Sequence, residues 1–126
     1  MDKDMTEEQK TKARAYKDVR IPTLLSRLGI AYPTWGFYIG DGWLPIVENA
    51  LERMIVAGWD RNLAQVKQKF GGLRIYIGYT NEAITRIIRE AESACDKACE
   101  HCGALHGLEV PLSGLALCKE CRDKDN

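Results

Sequence analysis

The sequence predicts an α+β fold in which several helices pack on a β-hairpin, with a four-cysteine zinc ribbon or knuckle at the C-terminus. Three observations predict this fold: apolar residues recur at helical spacing in two segments, two alternating segments flank a glycine pair, and two C-x2-C pairs lie near the end. A chain of 126 residues, 45% of them hydrophobic, can bury one core. We expect a helical and hairpin domain over residues 1–98 and a ribbon over residues 99–126, continuous with the last core helix.

The four clustered cysteines predict one structural zinc ion. Their spacing is C-x2-C-x15-C-x2-C, which lets each pair direct two thiolates at one metal from a tight turn, and the ligands are Cys99, Cys102, Cys118 and Cys121. Gly103 follows the first pair, where such a turn often needs a positive φ. The ribbon is shorter than the roughly 40 residues that usually fold without a staple. Zinc is therefore expected to hold it together.

The cysteines and histidines of the chain fit a structural metal site better than a catalytic one. A catalytic zinc usually keeps three protein ligands and a water, often with histidine, whereas four cysteines close the site. The only histidines are His101 and His106, and neither has an evident acidic partner. The fifth cysteine, Cys95, lies one helical turn before Cys99. It is either a small buried apolar residue, which we favour, or an alternate ligand.

Charge and hydropathy exclude several classes of protein. The chain has 18 basic and 18 acidic residues, so its charge does not match that of a broadly basic nucleic-acid coat protein. It shows no apolar leader and no long apolar run, so we expect neither secretion nor a membrane span. Metal-bound thiols suit a reducing cytosol, and we expect a cytoplasmic protein.

The first half of the chain predicts helices separated by an aromatic loop. Residues 6–19 are rich in charge and predict a solvated helix. Pro22 suits the first position of a short second helix, which Gly29 would end. Residues 32–43 contain five aromatic residues and three glycines, a composition that indicates an irregular, packed connection.

Two longer amphipathic helices follow from their apolar spacing. The first begins at Leu44, has Pro45 in its first turn and ends near Gly58, which makes it about 14 residues long. Thr80 or Asn81 can cap the second, whose apolar stripe continues towards the first cysteine pair.

Between these helices, Gly71 and Gly72 predict a two-residue hairpin turn of type I′ or II′. In that register Phe70 pairs with Leu73 and Lys69 with Arg74. One face is then apolar and faces the core, with Val66, Phe70, Leu73, Ile75 and Ile77. The opposite face, called the basic face below, consists of Lys67, Lys69, Arg74 and Tyr76.

Three blocks of sequence occur together in this chain: residues 36–43 (GFYIGDGW), residues 65–76 (QVKQKFGGLRIY) and residues 91–103 (AESACDKACEHCG). In combination they resemble a family of small phage and prophage zinc-ribbon proteins with GFxxGDGW, VKxKFGGLRxY and CxxCG blocks. The resemblance covers about residues 36–121 and implies a phage origin, a bacterial host cell and a zinc site, but no activity. Gln68 stands where the family usually has an acid, which makes this hairpin more basic.

The basic face is the leading candidate for function. Its cations can hold phosphates, and Tyr76 or the Arg74 guanidinium plane can stack a base. Lys69 and Arg74 repel each other when they are opposed, which favours an anionic partner. The alternative is a face that a helix covers, or one whose cations are simply solvated.

Asp41 and Trp43 form a second candidate ligand site. Asp41 could act as a general base or recognise a hydroxyl, although an N-cap of the following helix is the better interpretation. Trp43 and its neighbouring aromatics could line a pocket, although aromatics so closely spaced are more often core.

These features predict a non-enzymatic protein that binds a nucleic acid, a nucleotide signal or a host protein. The resemblance alone implies that it is a phage accessory protein, with counter-defence as one use. The alternatives are a phosphodiesterase or nuclease built around Asp41 with Lys69 and Arg74, and a pure protein-interaction module. The enzyme would need an added divalent metal, for which the sequence has no obvious acidic cluster.

Overall fold

The computed structural model describes residues 19–109 and 116–125. The helices of this part are α1 (Arg20–Arg27), α2 (Leu44–Val56), α3 (Glu82–Asp96) and α4 (Lys119–Asp125), and the strands are β1 (Phe37–Tyr38), β2 (Leu63–Lys69) and β3 (Gly72–Ile77). The mixed α and β composition agrees with the predicted class. The helix predicted over residues 6–19 lies outside the described residues except for its last position.

Helix α1 begins earlier than expected and ends where expected. Its first residue is Arg20, so Pro22 is the third residue rather than the first. The missing N–H of Pro22 still costs little, because the first N–H groups of a helix have no intrahelical acceptor. Gly29 adopts φ +70°, and the N–H of Ile30 donates to the carbonyl of Leu25 at 2.8 Å. This is a Schellman C-cap, so the prediction that Gly29 ends the helix is confirmed.

The predicted signals also mark the ends of α2 and α3. Pro45 lies in the first turn of α2, and Gly58 takes φ +94° just beyond its C-cap. The side chain of Asn81 accepts the N–H of Ile84 at 2.9 Å and so caps α3. Both helices are therefore confirmed, with α2 spanning 13 residues.

The sheet has three strands rather than two, in the order β1-β2-β3. Strand β1 lies within the segment that we predicted to be an irregular loop, and it pairs in parallel with β2, with Phe37 beside Val66 and Tyr38 beside Lys67. Two residues are too few to show the alternation of apolar and polar residues that predicts a strand. The strand also depends on a partner far along the chain.

Strands β2 and β3 form the predicted antiparallel hairpin, but the turn lies one residue earlier than expected. Lys69 pairs with Gly72, so Phe70 and Gly71 are the central turn residues, with φ of +54° and +80°. Positive φ at both positions is the type I′ geometry. Phe70 is therefore not a core residue, and it is 83% exposed. The consecutive glycines allow either register locally, so packing along the strands decides between them.

The core lies between one face of the sheet and the helices α2 and α3. Its fully buried members include Trp43, Val47, Leu51, Met54, Val66, Leu73, Ile84 and Cys95. A second, smaller cluster surrounds Cys99, Leu117 and Cys118. Among the residues that the structure describes, none of the helices is long and apolar enough to cross a membrane.

Candidate functional site

The four predicted ligands Cys99, Cys102, Cys118 and Cys121 come together in one cluster. Their sulfur atoms all lie within 4.8 Å of one another, and the Sγ atoms of Cys102 and Cys118 are 3.7 Å apart. A tetrahedral zinc with Zn–S bonds of about 2.3 Å requires sulfur atoms about 3.8 Å apart. The four cysteines could therefore hold a metal ion, and their geometry is consistent with zinc.

Short backbone hydrogen bonds shape the first cysteine pair, which lies in residues 99–103, here called the cysteine turn. The N–H of Gly103 donates to the carbonyl of Cys99 at 2.8 Å, and Gly103 takes φ +83°, as predicted. The N–H of Cys99 donates to the carbonyl of Ala104 at 2.8 Å. The second pair, Cys118 and Cys121, follows an antiparallel bridge between Glu109 and Leu117 and enters α4.

The cysteines of the cluster differ in how readily their thiols ionise. Burial opposes ionisation of Cys99, but backbone hydrogen bonds from Cys118, Cys102 and His101 to its sulfur outweigh it and lower its pKa to about 6. Burial and hydrogen bonds with the other three cysteines raise the pKa of Cys121 to about 12. One thiolate is thus stabilised without a metal, whereas four adjacent thiolates need a positive ion between them.

A glycine loop, residues 40–43, packs directly against the cysteine turn. A Cβ at Gly42 would lie 2.2 Å from the carbonyl oxygen of Cys99 and 2.3 Å from the nitrogen of Gly103. A Cβ at Gly40 would lie 2.4 Å from the carbonyl oxygen of Glu100. Both glycines are therefore needed for close approach of two backbones.

Glu100 joins these two segments, a role that the sequence analysis missed. Its carbonyl accepts the N–H of Gly42 at 2.8 Å, and its Oε2 accepts the N–H of Gly40 at 3.0 Å. The side chain is buried, and burial raises the pKa of its carboxyl despite the hydrogen bond from Gly40. Its position between Cys99 and Cys102 was the available signal in the sequence, but spacing alone does not show that a side chain is buried.

The structure separates Asp41 and Trp43. Trp43 is fully buried, and its Nε1 donates to the carbonyl of Ala98 at 2.9 Å, so it belongs to the core and not to a ligand site. Asp41 does not cap α2, whose N-cap is Trp43 with no side-chain hydrogen bond. The Asp41 carboxylate is instead exposed and lies 2.7 Å from the Arg20 guanidinium.

Cys95 takes the position that we favoured for it. It is fully buried on α3 and lies outside the group of four sulfurs. Burial raises the pKa of its thiol to about 12, so it stays neutral and behaves as a small apolar side chain.

The residues of the basic face share one side of the hairpin even in the corrected register, because a two-residue change in pairing preserves the faces. Lys67 pairs directly with Arg74, and Tyr76 pairs with Gln65. Lys69 is exposed, Tyr76 is 43% exposed, and Lys67 and Arg74 are half-buried. None of the four side chains is buried, although α3 borders the face at Arg74.

Tyr38 adds an aromatic side chain to this surface, which the sequence analysis missed because it treated residues 32–43 as a loop. It pairs with Lys67 from β1 and is 59% exposed, so Tyr38, Lys67 and Arg74 form a row across three strands. Two acids of α3 lie nearby: the Glu92 carboxylate is 3.9 Å from the Arg74 guanidinium, and Oδ1 of Asp96 lies 3.7 Å from the position that a Cβ on Gly72, the pairing partner of Lys69, would take. At the surface they compensate only part of the charge.

Among the described residues, the hydrogen bonds and ion pairs of Asp41, Lys69 and Arg74 do not join these three to one another. The two features that stand out are the cysteine cluster and the basic face extended by Tyr38. No protein-family model, curated protein or solved structure matches this chain. Function is therefore inferred from the chemistry of these two features.

Proposed function

We propose that this protein binds a single-stranded nucleic acid through the basic face and Tyr38, and that one zinc ion on the four cysteines stabilises the module without taking part in a reaction. The observation that carries the proposal is the row of Tyr38, Lys67 and Arg74 across an exposed sheet face. Exposed aromatics offer flat surfaces to bases, and cations between them offer charge to phosphates.

The alternation of charge and aromatic rings suits a strand whose bases are unpaired. Base stacking on an aromatic side chain is worth about 1–3 kcal/mol, and it requires a base with a free face. Tyr38 and Tyr76 supply two such surfaces, and Lys67, Lys69 and Arg74 supply three charges beside them. The paired cations Lys67 and Arg74 repel each other in the free protein, and a phosphate between them relieves that repulsion.

Zinc has a structural part in this proposal. The cluster supplies four sulfur ligands, which leaves no open position for a substrate or an activated water. The cysteine turn contacts the glycine loop, and that loop leads from β1 into α2. Metal binding therefore supports the edge strand that carries Tyr38.

An enzyme built around Asp41 has less support. Its carboxylate pairs with Arg20 on the protein surface, and its described contacts include neither Lys69 nor Arg74. The resemblance to phage proteins is the sole support for action in the cytoplasm of a bacterial host, where interference with a host defence is one use of nucleic-acid binding.

Equilibrium binding of a fluorescent single-stranded oligonucleotide tests the proposal. Three phosphate contacts give a slope of about −2 for log K against log salt, or roughly 20-fold weaker binding over a fourfold rise in salt. The double variant Lys67→Gln with Lys69→Gln should flatten the slope by about 1.4. It should nearly keep the melting temperature, since Lys69 is exposed, Lys67 is half-buried, and charges at a protein surface contribute little to stability.

The matched control is Arg27→Gln with Arg86→Gln, which removes the same charge from exposed positions on α1 and α3. We expect this control to bind with nearly the wild-type salt slope. Equal losses in both double variants would mean that net charge, and not the basic face, attracts the oligonucleotide. Failure of the wild-type protein to bind any oligonucleotide would contradict the proposal.

A further inference from the structure

Phe70 at the apex of the hairpin has no packing role that explains it. Its side chain is 83% exposed although it is large and apolar. Its backbone takes φ +54°, a left-handed conformation that residues with a Cβ rarely adopt. Asn or Gly is the usual residue at the first central position of a type I′ turn. The chain thus places an exposed aromatic ring where a smaller residue would fold more easily.

Two neighbouring side chains contact the apex of the hairpin. The N–H of Gly71 donates to Oε1 of Gln68 at 3.2 Å, which closes the turn from the core face. The Nζ of Lys69 lies 5.7 Å from the centre of the Phe70 ring, a cation–π distance. Since Lys69 belongs to the basic face, this contact places the ring beside that face. The ring is therefore presented to solvent next to a positive charge.

The rings of Phe70 and Tyr76 lie towards opposite ends of the hairpin. Tyr76 lies four residues from Gly72 along β3, a span of about 13 Å at the usual rise of a strand. Phe70 lies beyond Gly72 at the hairpin end, and Tyr76 lies towards the other end. Lys67, Lys69 and Arg74 lie between these two rings.

We infer that Phe70 stacks on an unpaired base of the nucleic acid that the basic face holds by its phosphates. This inference rests on the proposed function and names the ligand more closely, as a single strand or an unpaired end rather than a continuous duplex. Bases inside a duplex have both faces occupied by their neighbours, so stacking on Phe70 requires one of them to leave the stack. Backbone strain at an exposed side chain is typical of functional positions.

The decisive variant is Phe70→Asn, because it creates an Asn-Gly turn that suits type I′ geometry. We expect it to melt at or above the wild-type temperature, since the backbone strain is relieved. It should nevertheless bind a single-stranded oligonucleotide about 5- to 150-fold more weakly, the range expected for loss of one stacked base. Phe70→Trp should bind at least as tightly as wild type. Val56→Gln, at an 89% exposed apolar position on α2, should leave affinity unchanged.

A fluorescent base analogue distinguishes stacking from a general loss of affinity. With 2-aminopurine at successive positions of the oligonucleotide, one position should be quenched by wild type and Phe70→Trp but not by Phe70→Asn at saturating protein. The salt slope of Phe70→Asn should equal that of wild type, because no phosphate contact is lost.

Each failure has its own signature. If Phe70→Asn binds the oligonucleotide with the wild-type affinity and quenches it to the wild-type extent, Phe70 does not stack on a base. The basic face would then remain the binding surface. A wild-type protein that binds no oligonucleotide would overturn both proposals. Tighter binding of a blunt duplex than of the single strand would also overturn the inference, and a protein partner lost only in Phe70→Asn would reassign the ring to a protein interface.

Discussion

Gly42→Ala is the substitution whose effect the structure defines most closely. The new Cβ would lie 2.2 Å from the carbonyl oxygen of Cys99, 2.3 Å from the nitrogen of Gly103 and 2.9 Å from the nitrogen of Cys102. All three atoms belong to the backbone, so no side chain can rotate away. Relief requires the glycine loop and the cysteine turn to separate by about 1 Å, since ordinary Cβ contacts begin near 3.4 Å.

The cost combines two effects. Overpacking of this kind typically destabilises a fold by about 1–3 kcal/mol. Separation also breaks the hydrogen bond from the N–H of Gly42 to the carbonyl of Glu100, worth about 1 kcal/mol. We therefore expect the free energy of unfolding to fall by about 2–4 kcal/mol. For a domain of this size that lowers the melting temperature by roughly 8–16 °C.

Thermal melts followed by circular dichroism measure this loss, and transfer of zinc to a coloured chelator measures the state of the cysteine turn. Gly42→Ala should melt lower and release zinc faster, because the displaced backbone carries two of the ligands. Gly72→Ala is the control: its Cβ would meet only the flexible Arg74 guanidinium at 3.1 Å and otherwise nothing closer than 3.6 Å. A melt of Gly42→Ala within about 2 °C of wild type would refute the predicted contact between the two segments.

Purified wild-type protein should contain one zinc ion per chain; Cys121→Ser should lose the zinc and melt lower, whereas Cys95→Ala should keep the zinc. Metal analysis and thermal melts check this prediction, and a metal-free wild-type protein would contradict it. Trp43→Phe should lower the free energy of unfolding, measured by denaturant titration, by about 1–3 kcal/mol. The carbonyl of Ala98 would lose its buried donor. Asp41→Asn should change the free energy of unfolding by less than about 0.5 kcal/mol, since its pair with Arg20 is exposed, and a large loss would show a structural role for that pair.

Local signals in the sequence were sufficient for the C-terminal ends of α1 and α2, for the start of α3 and for the cluster of four cysteines. Gly29, Gly58 and Asn81 act through backbone conformations and hydrogen bonds within a few residues of themselves. The paired cysteines likewise carry their geometry in their spacing. These features were predicted because their physical causes are local.

Features that depend on contacts distant in sequence were missed or placed wrongly. Strand β1 exists because it pairs with β2 almost thirty residues later, and the turn at Phe70 and Gly71 is one of two that adjacent glycines permit. The glycine loop was a second candidate ligand site because it carries Asp41 and Trp43, although a cap and a core position were the better interpretations. Its glycines instead serve close contact with the cysteine turn, which lies about sixty residues away along the chain.

Mapping of the oligonucleotide-binding surface on the protein by nuclear magnetic resonance tests the proposed function most directly. In zinc-loaded, isotope-labelled protein, addition of a short single strand should shift the signals of β1, β2 and β3 that lie on or beside the basic face, with the largest changes near Tyr38, Lys67 and Tyr76. Signals from the groove between α2 and α3, lined by Ile46, Ala50 and Ala91, should stay in place. Shifts confined to that groove, or none at all at saturating oligonucleotide, would contradict binding through the sheet.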